Sequence, residues 1–130
     1  MIKKKKIKKL TGKEHFEGGD FSVLEFWQYG FSNLNSNIIR GSLAEFIVEN
    51  LLKNKEEIEI RNPWGDFDVL YKNKKIEIKC SSYLQDWDQD NFSKITFSGL
   101  KAKGLYWSTA VGKFNKDAQK EYKADIYILC

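Results

Sequence analysis

The segment "DFDVLYKNKKIEIKCSS", residues 66–82, constrains the fold more than any other part of the sequence. Apolar and polar residues alternate on both sides of a short polar stretch, and this period of two is typical of paired β-strands with one buried face. We predict strands over residues 66–72 and 74–82 with a tight turn between them. The apolar face of this hairpin is expected to lie in the core.

The pairing register decides which side chains share a face of the hairpin. A two-residue loop at residues 73–74 pairs Leu70 with Glu77 and Asp68 with Lys79, and a four-residue loop gives the same pairs. A loop with an odd number of residues would instead turn Asp68 to the opposite side. With an even loop, Asp68, Glu77 and Lys79 project together. The other face then carries the apolar side chains of Val69, Tyr71, Ile76 and Ile78.

Two helices are predicted before the hairpin. Residues 21–34 carry large apolar side chains at spacings that suit a short amphipathic helix. Residues 35–54 give the clearer helical pattern, with Ser36 or Asn37 available as the N-cap. The predicted apolar stripes are Val23, Leu24, Phe26, Trp27 and Phe31 in the first helix, and Ile39, Leu43, Phe46, Ile47 and Leu51 in the second.

Further strands are predicted on both sides of the hairpin. Residues 57–62 precede it, and residues 94–99 and 104–111 follow it as two more strand candidates. A short polar helix over residues 116–123 then leads to a last strand over residues 124–130. The order of helix, three-strand meander, variable insert, helix and strand predicts an α/β fold with a small mixed sheet flanked by helices.

Composition and charge limit the class of protein. At 130 residues the chain is long enough for one domain with its own core, and no apolar run approaches the roughly 18 residues of a membrane span. The N-terminus lacks the apolar segment of a secretory signal, so we predict a cytoplasmic protein. The two cysteines, Cys80 and Cys130, are too few for a disulfide framework, lack the spacing of a zinc site, and are predicted to be reduced thiols.

The positive charge is concentrated at the N-terminus. The net charge is +4, but residues 1–13 contain seven of the 22 basic residues and no acidic residue. The rest of the chain has 15 basic and 18 acidic residues, a net charge of −3. We therefore predict a basic arm and loop over residues 1–20. Such an arm either stays solvated or contacts phosphate groups of a nucleic acid.

Asp68 and Glu77 form a candidate metal site. Two carboxylates close together at a strand end suit Mg²⁺ or Mn²⁺, with phosphate oxygens and waters as the remaining ligands. Lys79 on the same face could orient a water molecule and offset negative charge on a phosphate. This chemistry is phosphodiester hydrolysis. The alternative is an ordinary amphipathic strand whose charged side chains are only solvated.

These residues also resemble a known nuclease motif. Asp68 and the "EIK" of residues 77–79, in a helix–β–β–β setting, resemble the PD-(D/E)XK superfamily, which has the restriction-endonuclease-like fold. The segments "RGSLAE", "FDVLYKNKKIEIKCSSYLQ" and "ADIYIL" are similar to a family of small bacterial proteins of that fold. Pro63 is not adjacent to Asp68, which departs from the motif name.

The resemblance implies a function and a set of site residues. It implies that residues 21–130 form a Mg²⁺- or Mn²⁺-dependent nuclease domain that cleaves DNA, single- or double-stranded. The catalytic residues would be Asp68, Glu77, Lys79 and Glu45 of "RGSLAE". Of these, Asp68, Glu77 and Glu45 would be the metal ligands. The alternative is a catalytically silent module that binds nucleic acid or protein. A homodimer or a partner subunit could complete the site.

Other polar residues are weaker candidates. Arg40 could hold Glu45 or a phosphate, and Ser82 and Gln85 could position water or phosphate, although simple helix-end and turn roles are equally open. Asp66 shares a face with Asp68 and is a rival metal ligand.

Overall fold

The computed structural model describes residues 6–103, 107–108, 113–114 and 119–130. In these residues the chain is a mixed α/β protein with two α-helices, and no helix there is long and apolar enough to cross a membrane. The elements in chain order are α1 (Val23–Phe31), α2 (Asn37–Leu52), a 3₁₀ turn (Lys55–Glu57), β1 (Val69–Tyr71), β2 (Lys74–Lys79), β3 (Lys101–Lys103), β4 (Trp107–Ser108), β5 (Lys113–Phe114), β6 (Lys120–Tyr122) and β7 (Ile126–Leu129).

The hairpin strands and the last strand form one three-stranded mixed sheet. Its order is β1–β2–β7, with β2 antiparallel to β1 and parallel to β7. Val69 lies opposite Ile76, and Glu77 lies opposite Tyr127. Two smaller ladders, β3–β6 and β4–β5, come from the segment between β2 and β7. The predicted hairpin and last strand are therefore confirmed.

The turn of the hairpin lies one residue earlier than predicted. Lys72 and Asn73 have φ angles of 46° and 62°, so these two residues form the loop, and Tyr71 pairs with Lys74. Positive φ at both loop residues is the geometry of a type I′ turn, whose twist matches that of the strands. The predicted register was wrong by two residues. An even shift leaves the strand residues of β1 and β2 on their predicted faces, whereas Asp68 lies just outside the ladder.

The core lies between α2 and one face of the sheet. Val69, Ile76 and Ile78 are buried against Ala44 and Val48 of the helix, as predicted for this face of the hairpin. Tyr71, Leu52, Cys80 and Ile128 pack around this cluster.

The predicted apolar stripe of α2 was wrong. Ala44 and Val48 face the sheet, whereas Leu51 is 80% exposed and Phe46 57% exposed. Residues four apart share a helix face, so the buried line follows Ala44, Val48 and Leu52 instead of the larger neighbours. The small side chains of Ala44 and Val48 let the helix approach the sheet closely.

The helix starts follow from local hydrogen bonds. Ser22 and Glu25 form a reciprocal capping box at the start of α1, and the Ser36 hydroxyl accepts the N–H of Ile38 at the start of α2. Before α1, the carbonyls of Gly12 and Glu14 accept the N–H groups of Leu24 and Val23, at 2.9 and 2.8 Å. Both predicted helices are thus confirmed.

Several other predicted elements were wrong. Residues 57–62 do not form a strand, since the 3₁₀ turn ends at Glu57 and the extended chain after it joins no ladder. Residues 94–99 also form no strand. Of the helix predicted over residues 116–123, residues 116–118 lie outside the described residues, and Lys120–Tyr122 form β6 instead. This strand pairs with β3, so a long-range partner outweighs local preference there. Of the strand predicted over residues 104–111, Trp107–Ser108 is a strand and the rest lies outside the described residues.

Truncation of the core should destabilise the protein far more than truncation of the predicted stripe. We expect Ile76→Ala, at a position 3% exposed, to lower the free energy of unfolding by about 2–5 kcal/mol. Leu51→Ala, at an exposed position of α2, should change it by less than about 0.5 kcal/mol. Urea unfolding followed by circular dichroism measures both. Equal losses in the two variants would contradict the observed packing of α2.

Candidate functional site

Asp68 lies just before β1 and forms hydrogen bonds to β2 at the end of the β1–β2 ladder. The regular pairing of β1 ends at Val69, and β2 continues beyond it to Lys79. The Asp68 Oδ2 atom accepts the backbone N–H of Ile78 at 2.7 Å, and the N–H of Asp68 donates to the Ile76 carbonyl at 3.0 Å. The carboxylate thereby takes the place of a strand carbonyl. This contact fixes the orientation of the Asp68 side chain.

Glu77 and Lys79 form an ion pair on the sheet face opposite the core. The Lys79 Nζ atom lies 2.7 Å from Glu77 Oε1, and the two side chains are 30% and 21% exposed. They are two residues apart on β2, so they project from the same face of the sheet, next to Tyr127 and Leu129 of β7. The sequence prediction placed them on one face, and the register confirms it.

The pKa of Asp68 is raised above its ordinary value of 3.8. Burial is the largest cause, and the negative charges of Glu45 and Glu77 add to it. The N–H of Ile78 and the positive charge of Lys79 act in the opposite direction. Asp68 is therefore a partly buried carboxyl with two acidic neighbours, a setting in which a cation would be stabilising.

Glu45 is held by Arg61, which the sequence reasoning missed. Arg61 donates from Nε to Glu45 Oε2 at 2.5 Å and from Nη2 to Oε1 at 2.6 Å, a bidentate pair. The hydrogen bond to Glu45 is the largest cause of a raised Arg61 pKa, and the charge of Asp68 contributes. Arg61 lay in a segment predicted as a strand, and no local pattern connects it to a residue 16 positions earlier.

Glu45, Arg61 and Asp68 line one cleft of about 480 Å³. Ser42 and Asn62 contribute polar groups to the same cleft. Glu45 enters it from α2, Arg61 from the extended chain before the hairpin, and Asp68 from the start of β1. The cleft thus brings charged groups of both signs to the end of the hairpin.

Arg40, Ser82 and Gln85 lie together but not at Glu45. Arg40 Nη2 donates to Gln85 Oε1 at 3.3 Å, and Gln85 Nε2 donates to the Ser82 carbonyl at 2.9 Å. The Ser82 hydroxyl donates to the Leu84 carbonyl at 2.6 Å. The predicted Arg40–Glu45 contact is wrong, because Arg61 occupies both oxygens of that carboxylate. These three candidates join the start of α2 to the loop after β2.

The rival ligand Asp66 is exposed in the bend that precedes β1. Within the described residues, no group of three or more His, Cys, Asp or Glu side chains is close enough to bind a metal ion together. Asp68 with Glu77 provides two carboxylates. This donor set fits Mg²⁺, which is commonly held by one or two carboxylates while waters and substrate phosphates fill its other positions.

No family model matches the chain, and no curated protein or solved structure is significantly similar to it. The likeness to the PD-(D/E)XK superfamily therefore depends on the motif residues and on their placement.

Asp68→Asn should make stability less sensitive to pH. The raised pKa means that protonated Asp68 stabilises the fold below pH 3.8, and this contribution is lost as the pH rises through the raised value. The amide oxygen of Asn can still accept the Ile78 N–H. We expect the free energy of unfolding of Asp68→Asn to rise relative to the unmutated protein between about pH 4 and about pH 7.

Denaturant unfolding across that pH range measures this difference. Asp66→Asn is the matched control, since it removes the same charge from an exposed position two residues earlier. A constant difference between Asp68→Asn and the unmutated protein at every pH would contradict the assigned surroundings of Asp68.

Proposed function

We propose that the protein is a metal-dependent nuclease that hydrolyses phosphodiester bonds in DNA. The observation that supports this most is the position of Asp68, whose carboxyl is fixed at a strand end near Glu77 and Lys79 and has a raised pKa. Carboxyl groups with like-charged neighbours are characteristic of metal sites and catalytic sites.

The topology supports a restriction-endonuclease-like core for this function. The helix α2 precedes the β1–β2 hairpin, covers one face of it, and is followed later by β7, which runs parallel beside β2. This order agrees with the helix, hairpin and last strand on which the resemblance rests. The strand expected before the hairpin is the element that does not agree.

Each candidate residue has a role that follows from its position. Asp68 and Glu77 would hold Mg²⁺ or Mn²⁺, and Glu45 would contribute directly or through water. A bound metal ion supplies a Lewis acid and lowers the pKa of bound water. Lys79 is ion-paired with Glu77, and in the proposed reaction its ammonium group would offset the negative charge that develops on the phosphate.

Variants of Glu77 and Lys79 should fail in different ways. Glu77→Gln removes an anionic oxygen and should weaken Mg²⁺ binding, with partial rescue by excess Mn²⁺. Lys79→Ala should not weaken metal binding, since it only frees the Glu77 carboxylate, and it should lower turnover about 10²-fold, the scale of one lost transition-state contact. Lys75→Ala, on the same strand and face, is the matched control and should keep both properties.

Calorimetric Mg²⁺ titration and cleavage assays on single- and double-stranded DNA separate these outcomes. Loss of metal binding in Lys79→Ala, with full metal binding in Glu77→Gln, would contradict the assigned roles.

Arg61 should weaken metal binding in the unmutated protein. Its bidentate pair with Glu45 neutralises a carboxylate close to Asp68. We expect Arg61→Ala to bind Mg²⁺ several-fold more tightly, because one more anionic group then faces the cleft. The same titration measures this change. An affinity equal to or lower than that of the unmutated protein would contradict the role assigned to Arg61.

A non-catalytic nucleic-acid-binding module is the second candidate. It is favoured by the ion pairs of Glu45 with Arg61 and of Glu77 with Lys79, which neutralise two of the three carboxylates proposed to hold the metal ion. The exposed rings of Tyr83, Trp87 and Phe92 could stack on unpaired bases. Binding of Mg²⁺ and DNA without cleavage of any tested substrate would select this function over the nuclease.

A further inference from the structure

The two cysteines of the chain lie opposite each other at the end of the β2–β7 ladder. Lys79 pairs with Leu129, and the ladder continues beyond this pair. The Cys130 N–H donates to the Lys79 carbonyl at 2.9 Å, and the Cys130 carbonyl accepts the N–H of Ser81 at 2.8 Å. These two hydrogen bonds flank Cys80. In a parallel ladder this pattern makes Cys80 the direct neighbour of Cys130.

Both cysteine side chains project from the same face of the sheet. Cys80 follows Ile78 by two residues, and Cys130 follows Ile128 by two residues. Cys80 packs partly buried against the core cluster, and Cys130 is exposed. One thiol is therefore open to a small solute, and the other lies directly beside it.

The spacing of paired strands suits a disulfide bond. Neighbouring strands lie about 4.8 Å apart, which is within the usual Cα separation of about 4.4–6.8 Å for disulfide-bonded cysteines. We propose that Cys80 and Cys130 are an oxidisable pair that closes to an intramolecular disulfide without a change in the backbone fold. The two thiols would be reduced in a reducing compartment and joined when the surroundings become oxidising.

The chemistry is thiol–disulfide exchange with a small disulfide such as oxidised glutathione. The thiolate of one cysteine attacks a glutathione sulfur, and one glutathione thiolate leaves. The thiolate of the second cysteine then attacks the mixed disulfide, and the second glutathione leaves. Two protein thiols are oxidised to one disulfide, one glutathione disulfide is reduced to two thiols, and the two protons lost by the protein thiols end on these two glutathione thiols. Burial and the neighbouring Cys80 raise the pKa of the Cys130 thiol, so exchange through Cys130 should accelerate as the pH rises.

The bond would have a structural consequence at the candidate site. It would join the residue after Lys79 to the residue after β7 and close a loop through residues 81–129, which include β3 and β6. Closing a loop of this length restricts the unfolded chain, so the oxidised protein should be the more stable form.

Oxidation with a glutathione redox series tests the proposal. Intact mass under denaturing conditions should show the loss of two hydrogen atoms, with no thiol reactive to maleimide and with the mobility of a monomer on a non-reducing gel. The melting temperature should rise on the order of 10 °C on oxidation and return to its original value after reduction.

Single-cysteine variants are the matched controls. Cys130→Ser, at an exposed position, and Cys80→Ser should instead accept one glutathione each, without the rise in melting temperature. The intact mass of the unmutated protein decides the question independently of the variants. Glutathione adducts on both cysteines, or disulfide-linked dimers in place of the internal bond, would overturn the proposal.

Discussion

The contact between α2 and the apolar face of the hairpin is the packing on which the candidate site depends. Val69, Ile76 and Ile78 are buried against Ala44 and Val48. Because successive side chains of a strand point to opposite faces, burial of Ile76 and Ile78 places Glu77 and Lys79 on the face opposite the core. The same contact brings Glu45, the residue after Ala44, to the end of the hairpin. One hydrophobic contact thus places charged groups from two distant segments near Asp68.

The hydrogen bond between Asp68 and the Ile78 N–H gives one side chain a structural role and a proposed chemical role. Oδ2 satisfies a backbone donor that the short strand β1 does not reach, and this bond orients the carboxyl. Partial burial and the negative charges of Glu45 and Glu77 disfavour the charged form of this carboxyl. A divalent cation would relieve this repulsion. The proposed metal site and the ladder end are therefore parts of one arrangement.

The sequence predicts which strand residues share a face better than it predicts which residues contact each other. The period of two in the hairpin indicated that Val69, Ile76 and Ile78 share the core face and that Glu77 and Lys79 share the other, and an even change in loop position left that result intact. The stripe of α2 was mispredicted, because apolar residues surround the helix and side-chain size alone does not select the buried ones. The Glu45–Arg61 pair was not predicted, because it depends on the path of an irregular segment. The pairing of β6 with β3 has the same long-range character.

The central claim is that Asp68 and Glu77 together bind a divalent metal ion. Anomalous diffraction from crystals grown with Mn²⁺ tests it most directly. The account predicts an anomalous peak within about 2.0–2.6 Å of a carboxylate oxygen of each residue, the range of metal–oxygen bonds for hard divalent ions. A saturating Mn²⁺ concentration that gives no peak there, or a peak at another carboxylate cluster, would contradict it.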